Sequence, residues 1–445
     1  MSDAEKDALI TDQAALIERL AARVEELEAL VGKPRKTSSN SHLPPSKDSS
    51  GRKGGDKKPP KKSGKTRSSR PGVARPLTET PDKTERRIVE VCPHCAKAVG
   101  ERHQVCRHRY DHIDLPSIRP VVTRVELFGG RCPACRRRFR AQAPADHPVG
   151  TPFGPGIQAL LTYLHHSHHV SFERLARMLK ELFGLKISEG AIANAFRRLQ
   201  TSLTAACAAI KTRIMQAAVI ASDETTARVE GKTHWQWVFV TDTAVLHDIK
   251  PSRARAVVTS VLGLHRPEVW ISDRYAGQQD LGQVHQVCLA HVLRDVQYAI
   301  DCGDTVFAPR IRDLLRWTIR IGKRKPRLKD TTLATYAGRA EHRLDVLLSV
   351  PAAHPAGRTL QHQIKAWRGK FFVFLADRRV PSTNNICERE IRPSVVFRKV
   401  TNGFRSAWGA QIHAGYRSIT GTARLSGASD YDAVCDLVRE KFAPT

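Results

Sequence analysis

The chain has no apolar run near the roughly 18 residues that a membrane-spanning helix needs. It also lacks the positively charged start and greasy stretch of a secretory leader, since its opening residues include Asp3 and Glu5. Membrane insertion and export are therefore not expected, and a cytoplasmic location is. Acid is scarce: 44 Asp and Glu stand against 73 Lys and Arg, a formal charge of +29. A surface this one-sided repels itself unless it meets a polyanion, so nucleic acid is the leading partner and an anionic membrane the second. At 445 residues the chain is too long for a stapled miniprotein and long enough for two to four domains. Its ten cysteines, in a reducing compartment, argue for metal binding or simple burial rather than disulfides.

Residues 1–32 repeat apolar side chains every seven positions: Ile10, Ile17, Val24 and Val31 at one seam position, Leu20 and Leu27 three residues later. That is a short coiled-coil heptad, and β-branched residues at a with Leu at d favour two strands. A lone helix of this length is marginal in water, so self-association is the functional reading and docking on the chain's own globular body the bland one. Gly32 and Pro34 end the pattern. Residues 33–80 are expected to be a disordered basic linker. Between 33 and 75 there are 14 Lys and Arg against two Asp, with Leu43 and Val73 the sizeable apolar side chains. This stretch supplies +12 of the +29, so the remaining +17 lies elsewhere. Phosphate binding and a solvated spacer both suit such a run.

Residues 81–148 carry two like units, Cys92-Pro93-His94-Cys95 and Cys132-Pro133-Ala134-Cys135. Two thiolates separated by two residues can grip one ion from a tight turn. Two such turns complete a closed tetrahedron, which suits one structural Zn²⁺ in a zinc-ribbon domain. Strand-like alternation from Val121 to Phe128 lies between the pairs, and Cys106, His103 and His108 are substitute ligands. A redox pair or buried thiols is the alternative. Cys207, Cys288, Cys302, Cys387 and Cys435 sit in apolar stretches and read as core.

In residues 149–212 the apolar spacing predicts three helices, around Leu160 to Leu164, Phe172 to Leu182, and Ile192 to Leu199. The stop at Phe183-Gly184-Leu185 and the restart at Ser188-Glu189-Gly190 suggest a helix-turn-helix whose last helix presents Arg197 and Arg198 to DNA. Any three-helix bundle gives the same pattern.

Beyond residue 217 the period changes to strands: Val219 to Ser222, a hairpin of Trp235 to Val240 with Ala244 to Ile249, and Val269 to Ser272. Residues 284–300 and 310–368 are expected to be helical, with Phe371 to Leu375, a polar turn, and a helix from about Ile386 after them. The whole is expected to be multidomain α+β, its mixed sheet domain divided into residues 213–300 and 369–445 by a helical insertion at 301–368.

Three acids stand out. Asp223 is expected to end one apolar strand and Asp273 a second, where α/β folds assemble their sites. Neighbouring carboxylates repel, so such a pair implies a cation. Glu388 lies in the first turn of the helix beyond, and the three together suit two Mg²⁺. Each acid also has a bland role, the two aspartates capping turns and Glu388 closing a capping box with Asn385.

With those acids in order, the sequence resembles the DDE transposases of the insertion sequence 66 family, whose catalytic domain is RNase H-like. The resemblance rests on the zipper-like amino terminus, the stretch Asn40-Ser41-His42-Leu43-Pro44-Pro45-Ser46, the Cys-x-x-Cys pairs and Cys288-Leu289-Ala290-His291. Most specific is Asn384-Asn385-Ile386-Cys387-Glu388-Arg389-Glu390-Ile391-Arg392-Pro393, with Phe397-Arg398-Lys399 and Thr401-Asn402-Gly403-Phe404-Arg405 after it. It implies Asp223, Asp273 and Glu388 as the catalytic triad, holding two Mg²⁺ or in their place Mn²⁺. Thr383 stands where the family has an acid, and Val292-Leu293 where it has Arg-Arg; neither departure removes a metal ligand.

The implied chemistry is DNA cleavage and strand transfer at insertion-sequence ends, in a bacterial cytoplasm close to the nucleoid. Arg389, Arg392, Arg398, Lys399 and Arg405 suit phosphates of double-stranded DNA near the cut, and Trp408 a displaced base. A homodimer or higher oligomer through the coiled coil, and small accessory proteins of the same element, are the expected partners. Two other readings compete: a zinc-ribbon and helix-turn-helix regulator that never cuts, and a metal-dependent nuclease without strand transfer.

Overall fold

The computed structural model of the chain describes residues 13, 16–20, 34, 36–41, 75–150 and 152–440. The chain forms two compact units, residues 50–121 and residues 1–49 with 122–445. In the first unit the described part, from residue 75, is held by an antiparallel bridge of Val91 with Ala98 around the first cysteine pair. In the second, a hairpin of β1 (Gly129–Arg131) and β2 (Arg138–Arg140) carries the other pair. Regular strand thus begins at Gly129, later than the Val121 to Phe128 alternation suggests. No residue from 75 to 150 is buried, and alternation without a covered face does not commit a segment to a sheet.

Among the heptad residues, Gln13 and Leu16–Leu20 are helical, with Ile17 66% and Leu20 55% exposed. Ile10, Val24, Leu27 and Val31 lie outside the described residues, as does most of the basic run. Residues 36–41, within the stretch expected to lack order, form a turn against the body of the second unit.

Three helices follow: α1 (Pro155–His166), α2 (Phe172–Phe183) and α3 (Glu189–Ile214). The predicted punctuation is where the sequence puts it. Gly184 closes α2 at φ 66°, a conformation that favours glycine, and Ser188 caps α3 by accepting from Ala191 N at 3.2 Å. However, α3 is 26 residues long and does not stop near Leu199. Its first half packs with α1 and α2, whereas Ile210 and Ile214 lie under the sheet.

The sheet contains β3 (Val219–Val229), β4 (Lys232–Val240), β5 (Val245–Lys250), β6 (Val269–Ser272) and β7 (Val284–Val287), in the order β5-β4-β3-β6-β7. The first three form an antiparallel meander, and β6 and β7 extend it in parallel. Alternate residues serve opposite faces. Ile220, Trp237, Phe239 and Trp270 pack toward α3 and α4 (Arg255–Leu262), while Ala221, Val238, Val240 and Ile271 pack on the other face.

That second face is covered by α5 (Leu289–Asp301), α6 (Phe307–Arg324), α7 (Asp330–Ser349), α8 (Pro355–Ala366), the short α9 (Val373–Ala376) and α10 (Asn385–Thr401). Two helices, α11 (Ala407–Leu425) and α12 (Asp430–Glu440), then return to α3 and α1. Residues 284–287, expected to be helical, are the strand β7. Its buried His285 Nε2 meets Ser272 Oγ at 3.1 Å, and Gln286 Nε2 donates to Phe371 O at 3.1 Å. Phe371 and Leu375 are buried around a single helical turn.

Candidate active site

The parallel pairing of β3 with β6 ends at Ala221 opposite Ile271. Two residues beyond that pair stand Asp223, still within β3, and Asp273, the residue after β6 ends at Ser272, both in step with the residues that face α5 and α10. Asp223 does not end its strand. Antiparallel pairing with β4 carries β3 on to Val229, because the hairpin turns at Glu230 and Gly231, both at positive φ. What ends beside Asp223 is only the parallel half of the ladder, and that opens the crevice. Asp273 closes a turn by accepting from Tyr275 N at 2.8 Å.

Helix α10 is fastened to this point from its first residues. The N-cap Asn384 is fully buried and makes no side-chain cap. Its Nδ2 instead donates to Ser222 O on β3 at 2.8 Å, and its backbone N–H to Cys288 Sγ at 3.1 Å. Glu388, whose N–H donates to Asn384 O at 3.3 Å, is thereby held one turn above the residue next to Asp223. The capping box of Asn385 with Glu388 does not form. Glu388 Oε1 lies 3.6 Å from an Arg294 guanidinium nitrogen, and the next residue of α5, Asp295, pairs with Arg274 beside Asp273.

Asp223 titrates well above the ordinary carboxylate value: burial pushes it up, Glu224 and Asp273 add to that, and Glu388 contributes further. One carboxylate thus feels both of its expected partners. Glu224 is a fourth acid that the sequence reading passed over, with 1% of its side chain exposed. It is already served: Arg253 donates to Oε1 at 2.6 and 2.8 Å, and Gln278 to Oε2 at 2.5 Å. Arg253 is in turn sandwiched by Tyr275 and Trp235, at 3.8 and 4.7 Å from their ring centroids. A carboxylate so committed braces the site and leaves Asp223, Asp273 and Glu388 as the donors. With Glu388 turned to Arg294, no three His, Cys, Asp or Glu side chains among the described residues are gathered closely enough to hold a metal ion.

The remaining residues of the long signature divide by role. Cys387 and Ile391 are core. Glu390 meets Arg424 at 3.3 Å, Arg417 at 3.5 Å and His247 at 3.9 Å, which ties α10 to α11 and β5. Gly403, at φ 109°, lets Phe404 bond back to Arg228 O at 2.7 Å, where a Cβ would meet that oxygen at 2.6 Å. Arg389, Arg392, Lys399 and Arg405 are exposed. Arg398 is half-buried and donates to Thr226 on β3. Arg197 is exposed and stacks 4.8 Å from the Trp408 ring centroid, so that ring already has a cation on its face; Arg198 is half-buried.

The two cysteine pairs adopt the same turn. Cys92 N–H donates to Lys97 O at 2.8 Å and Cys132 N–H to Arg137 O at 2.9 Å, with Ala96 and Arg136 both at positive φ. Backbone N–H groups of His94 and Cys95, and of Cys135 and Ala134, pull the Cys92 and Cys132 thiols below their ordinary value. Of the cysteines read as core, Cys288 and Cys387 are buried, and Cys207, Cys302 and Cys435 half-buried.

The site is thus a mixed sheet with two aspartates beside the break between its parallel and antiparallel halves, and a third acid on a helix pinned to the same point. The family described as Transposase IS66 family matches residues 150–412, more than half of the 445 residues. The chain belongs to that family of transposases. Comparison with curated proteins finds no match. Among the described residues, no helix is long and apolar enough to cross a membrane.

Proposed function

We propose that this transposase cuts and joins DNA at the ends of an insertion sequence by a DDE mechanism, with Asp223, Asp273 and Glu388 as its metal-holding acids. The observation that carries the reading is the pinning of Glu388 by Asn384 to β3, next to Asp223 on β3 and Asp273 just past the end of the neighbouring β6. The sheet, a three-strand meander extended by two parallel strands with helices on both faces, supports an RNase H-like reading of the domain. Asp223, whose ionisation Asp273 and Glu388 oppose, would with those two carboxylates offer the hard oxygens that suit Mg²⁺ or Mn²⁺. Two such ions, when bound, supply Lewis acidity to the attacking and leaving oxygens of an in-line displacement.

The chain's own residues do the positioning. Arg294, 3.6 Å from Glu388, is a guanidinium suited to a DNA phosphate beside the acids. Exposed Arg389 and Arg392 lie on the same helix as Glu388, and exposed Lys399 and Arg405 at its far end, where they suit the phosphates of a bound duplex. The exposed seam residues Ile17 and Leu20 support self-association through the amino-terminal helix, which synapsis of two DNA ends calls for. The matched turns support Zn²⁺ binding at each cysteine pair, Cys92 with Cys95 and Cys132 with Cys135, in stretches that carry no buried residue.

Incubation of the full chain with Mg²⁺ and a labelled DNA end of the element tests the proposal. Cleavage with joining is expected. Cleavage alone reduces the protein to a nuclease, and binding without cleavage to a regulator.

A further inference from the structure

Residues 316–329 hold seven Lys and Arg and no acid. They run along the second half of α6 and through the turn that follows it. One of the seven, Lys325, is turned inward, where its Nζ donates to Phe374 O and Asp377 O at 3.1 Å and to Val380 O at 2.7 Å. The other six, Arg316, Arg320, Lys323, Arg324, Arg327 and Lys329, are all exposed. The opposite face of α6 is core, with Leu314, Leu315, Thr318 and Ile321 buried.

What sets these six apart is the lack of a counter-charge: among the described residues, none of them forms an ion pair with an acid. Neighbouring arginines are matched, since Arg312 meets Asp313 at 3.2 Å, Arg378 meets Asp330 at 2.7 Å and Arg368 meets Asp345 at 2.8 Å. Lys323 and Arg324 lie in the last turn of α6, where the helix dipole favours cations, but Arg316 and Arg320 lie before it. Like charges three and four residues apart disfavour the helix that carries them. A surface that keeps such a row calls for an anion from outside.

The row also has a fixed place relative to the acids. Gly322 of α6 packs so closely on the segment before α10 that a Cβ there would meet Phe374 at 2.9 Å and Ser382 Oγ at 3.5 Å. Ser382 O in turn accepts from Leu289 N, at the start of α5, at 3.2 Å, and Asn384 follows two residues later. Lys325 clamps the same segment, so the basic end of α6 is joined to the stretch that delivers Glu388. On α7, Tyr336 meets Trp317 of α6 edge-on, with ring centroids 6.0 Å apart. There a hollow of about 300 Å³, lined by Thr331, Thr332, Thr335, Tyr336 and Arg339, continues the surface with hydroxyls and a further guanidinium.

We infer that the exposed basic face of α6, with the turn through Lys329, is a second surface for duplex DNA, separate from the acids and from the arginines of α10. That the polyanion is DNA rests on the transposase reading. Arg316 to Arg324 spans about 12 Å of helix, and a duplex presents about seven phosphates over such a length. The stretch has no Asn or Gln, so it suits the phosphate backbone and holds DNA of any sequence.

The experiment compares the full chain with its combined variant Arg316→Gln, Arg320→Gln and Lys323→Gln on a random-sequence duplex. All three side chains are exposed, so the melting midpoint should hold. Three lost phosphate contacts should lower the slope of log affinity against log salt by about two to three, and cut affinity about tenfold or more. A slope within about 0.5 of wild type overturns the proposal. Amine acylation of the wild-type chain, read by mass spectrometry, supplies a measurement that needs no substitution. Duplex should slow acylation of Lys323 and Lys329 about threefold or more, while buried Lys325 reacts slowly with or without it. Equal reaction of Lys323 and Lys329 in free and duplex-bound protein also overturns the proposal. Protection by phosphatidylserine vesicles and not by duplex would assign the face to a membrane and overturn DNA as its partner. Neither measurement uses metal or cleavage, and Asp223→Asn should give the wild-type footprint, so this surface and the catalytic reading fail separately.

Discussion

Asp223 concentrates the chemistry of the site in one side chain. Burial and the charges of Glu224, Asp273 and Glu388 raise its titration above the ordinary 3.8, so without a cation the folded state holds a proton that the unfolded chain releases. Stability of the metal-free protein is then present below that ordinary value and is lost as pH rises through the elevated one. In chelator at neutral pH, Asp223→Asn should melt a few degrees above wild type, with the gap narrowing on acidification; a variant that melts lower contradicts this.

Histidines behave in the opposite sense. His166 Nδ1 meets His413 Nδ1 at 3.3 Å, Ser394 Oγ receives His413 Nε2 at 3.1 Å and Gln236 Nε2 at 2.9 Å, and Gln236 Nε2 reaches His247 Nδ1 at 3.0 Å. Burial holds His166 and His413 well below 6.5 and brings His247 to about 4. Their contribution is complete above pH 6.5 and is lost as pH falls toward about 4. Thermal midpoints should hold from pH 7.5 to about 6.5 and drop from there to pH 5, and a flat profile below pH 6.5 would show that these rings carry no such burden. The acids Asp223, Asp273 and Glu388 were legible because each stood beside an apolar strand or a helix start. Glu224, Arg253, Asn384 and Arg294 were not singled out, because what marks them is a partner distant in sequence.

At the scale of elements, the site depends on how α10 is attached. Replacing Asn384 with Ala removes its bond to Ser222 O, which is buried. The expected cost is about 1–3 kcal/mol, with a loss of cleavage larger than that of DNA affinity because Glu388 loses its register. Denaturant unfolding alongside a cleavage assay checks both, and cleavage at the wild-type rate would assign Asn384 to folding alone. The sequence showed β5 and β6 to within a residue and β4 from Trp235 on, since β-branched and aromatic residues dominate these stretches, but not the polar start of β4 at Lys232 to His234. It hid the second half of β3, where Glu224-Thr225-Thr226 and Arg228 mask the buried Ala227 and Val229. It hid β7 as well, because four residues with two polar side chains at their centre show no period. The length of α3 was missed for a related reason: its second half serves a different core from its first.

For the whole molecule, the excess positive charge calls for a polyanion, and the stretches around the cysteine pairs, with no buried residue, fit the proposed zinc. The four cysteines predict one zinc per chain by atomic emission, halved affinity or worse in Cys132→Ser, and loss of ordered structure in residues 75–150 on chelation. Full-length protein with no zinc and an unchanged module would remove the metal from the account.

The central claim is that Asp223, Asp273 and Glu388 act as one ion-dependent site on DNA. The direct measurement is Mg²⁺-dependent cleavage of a labelled element end by wild type, Asp223→Asn, Asp273→Asn and Glu388→Gln, with DNA binding measured in parallel. Each substitution should lower cleavage on the order of a thousandfold while binding stays within a few-fold, the loss of several kcal/mol of transition-state stabilisation. Cleavage within tenfold of wild type in any one of the three variants would contradict the account.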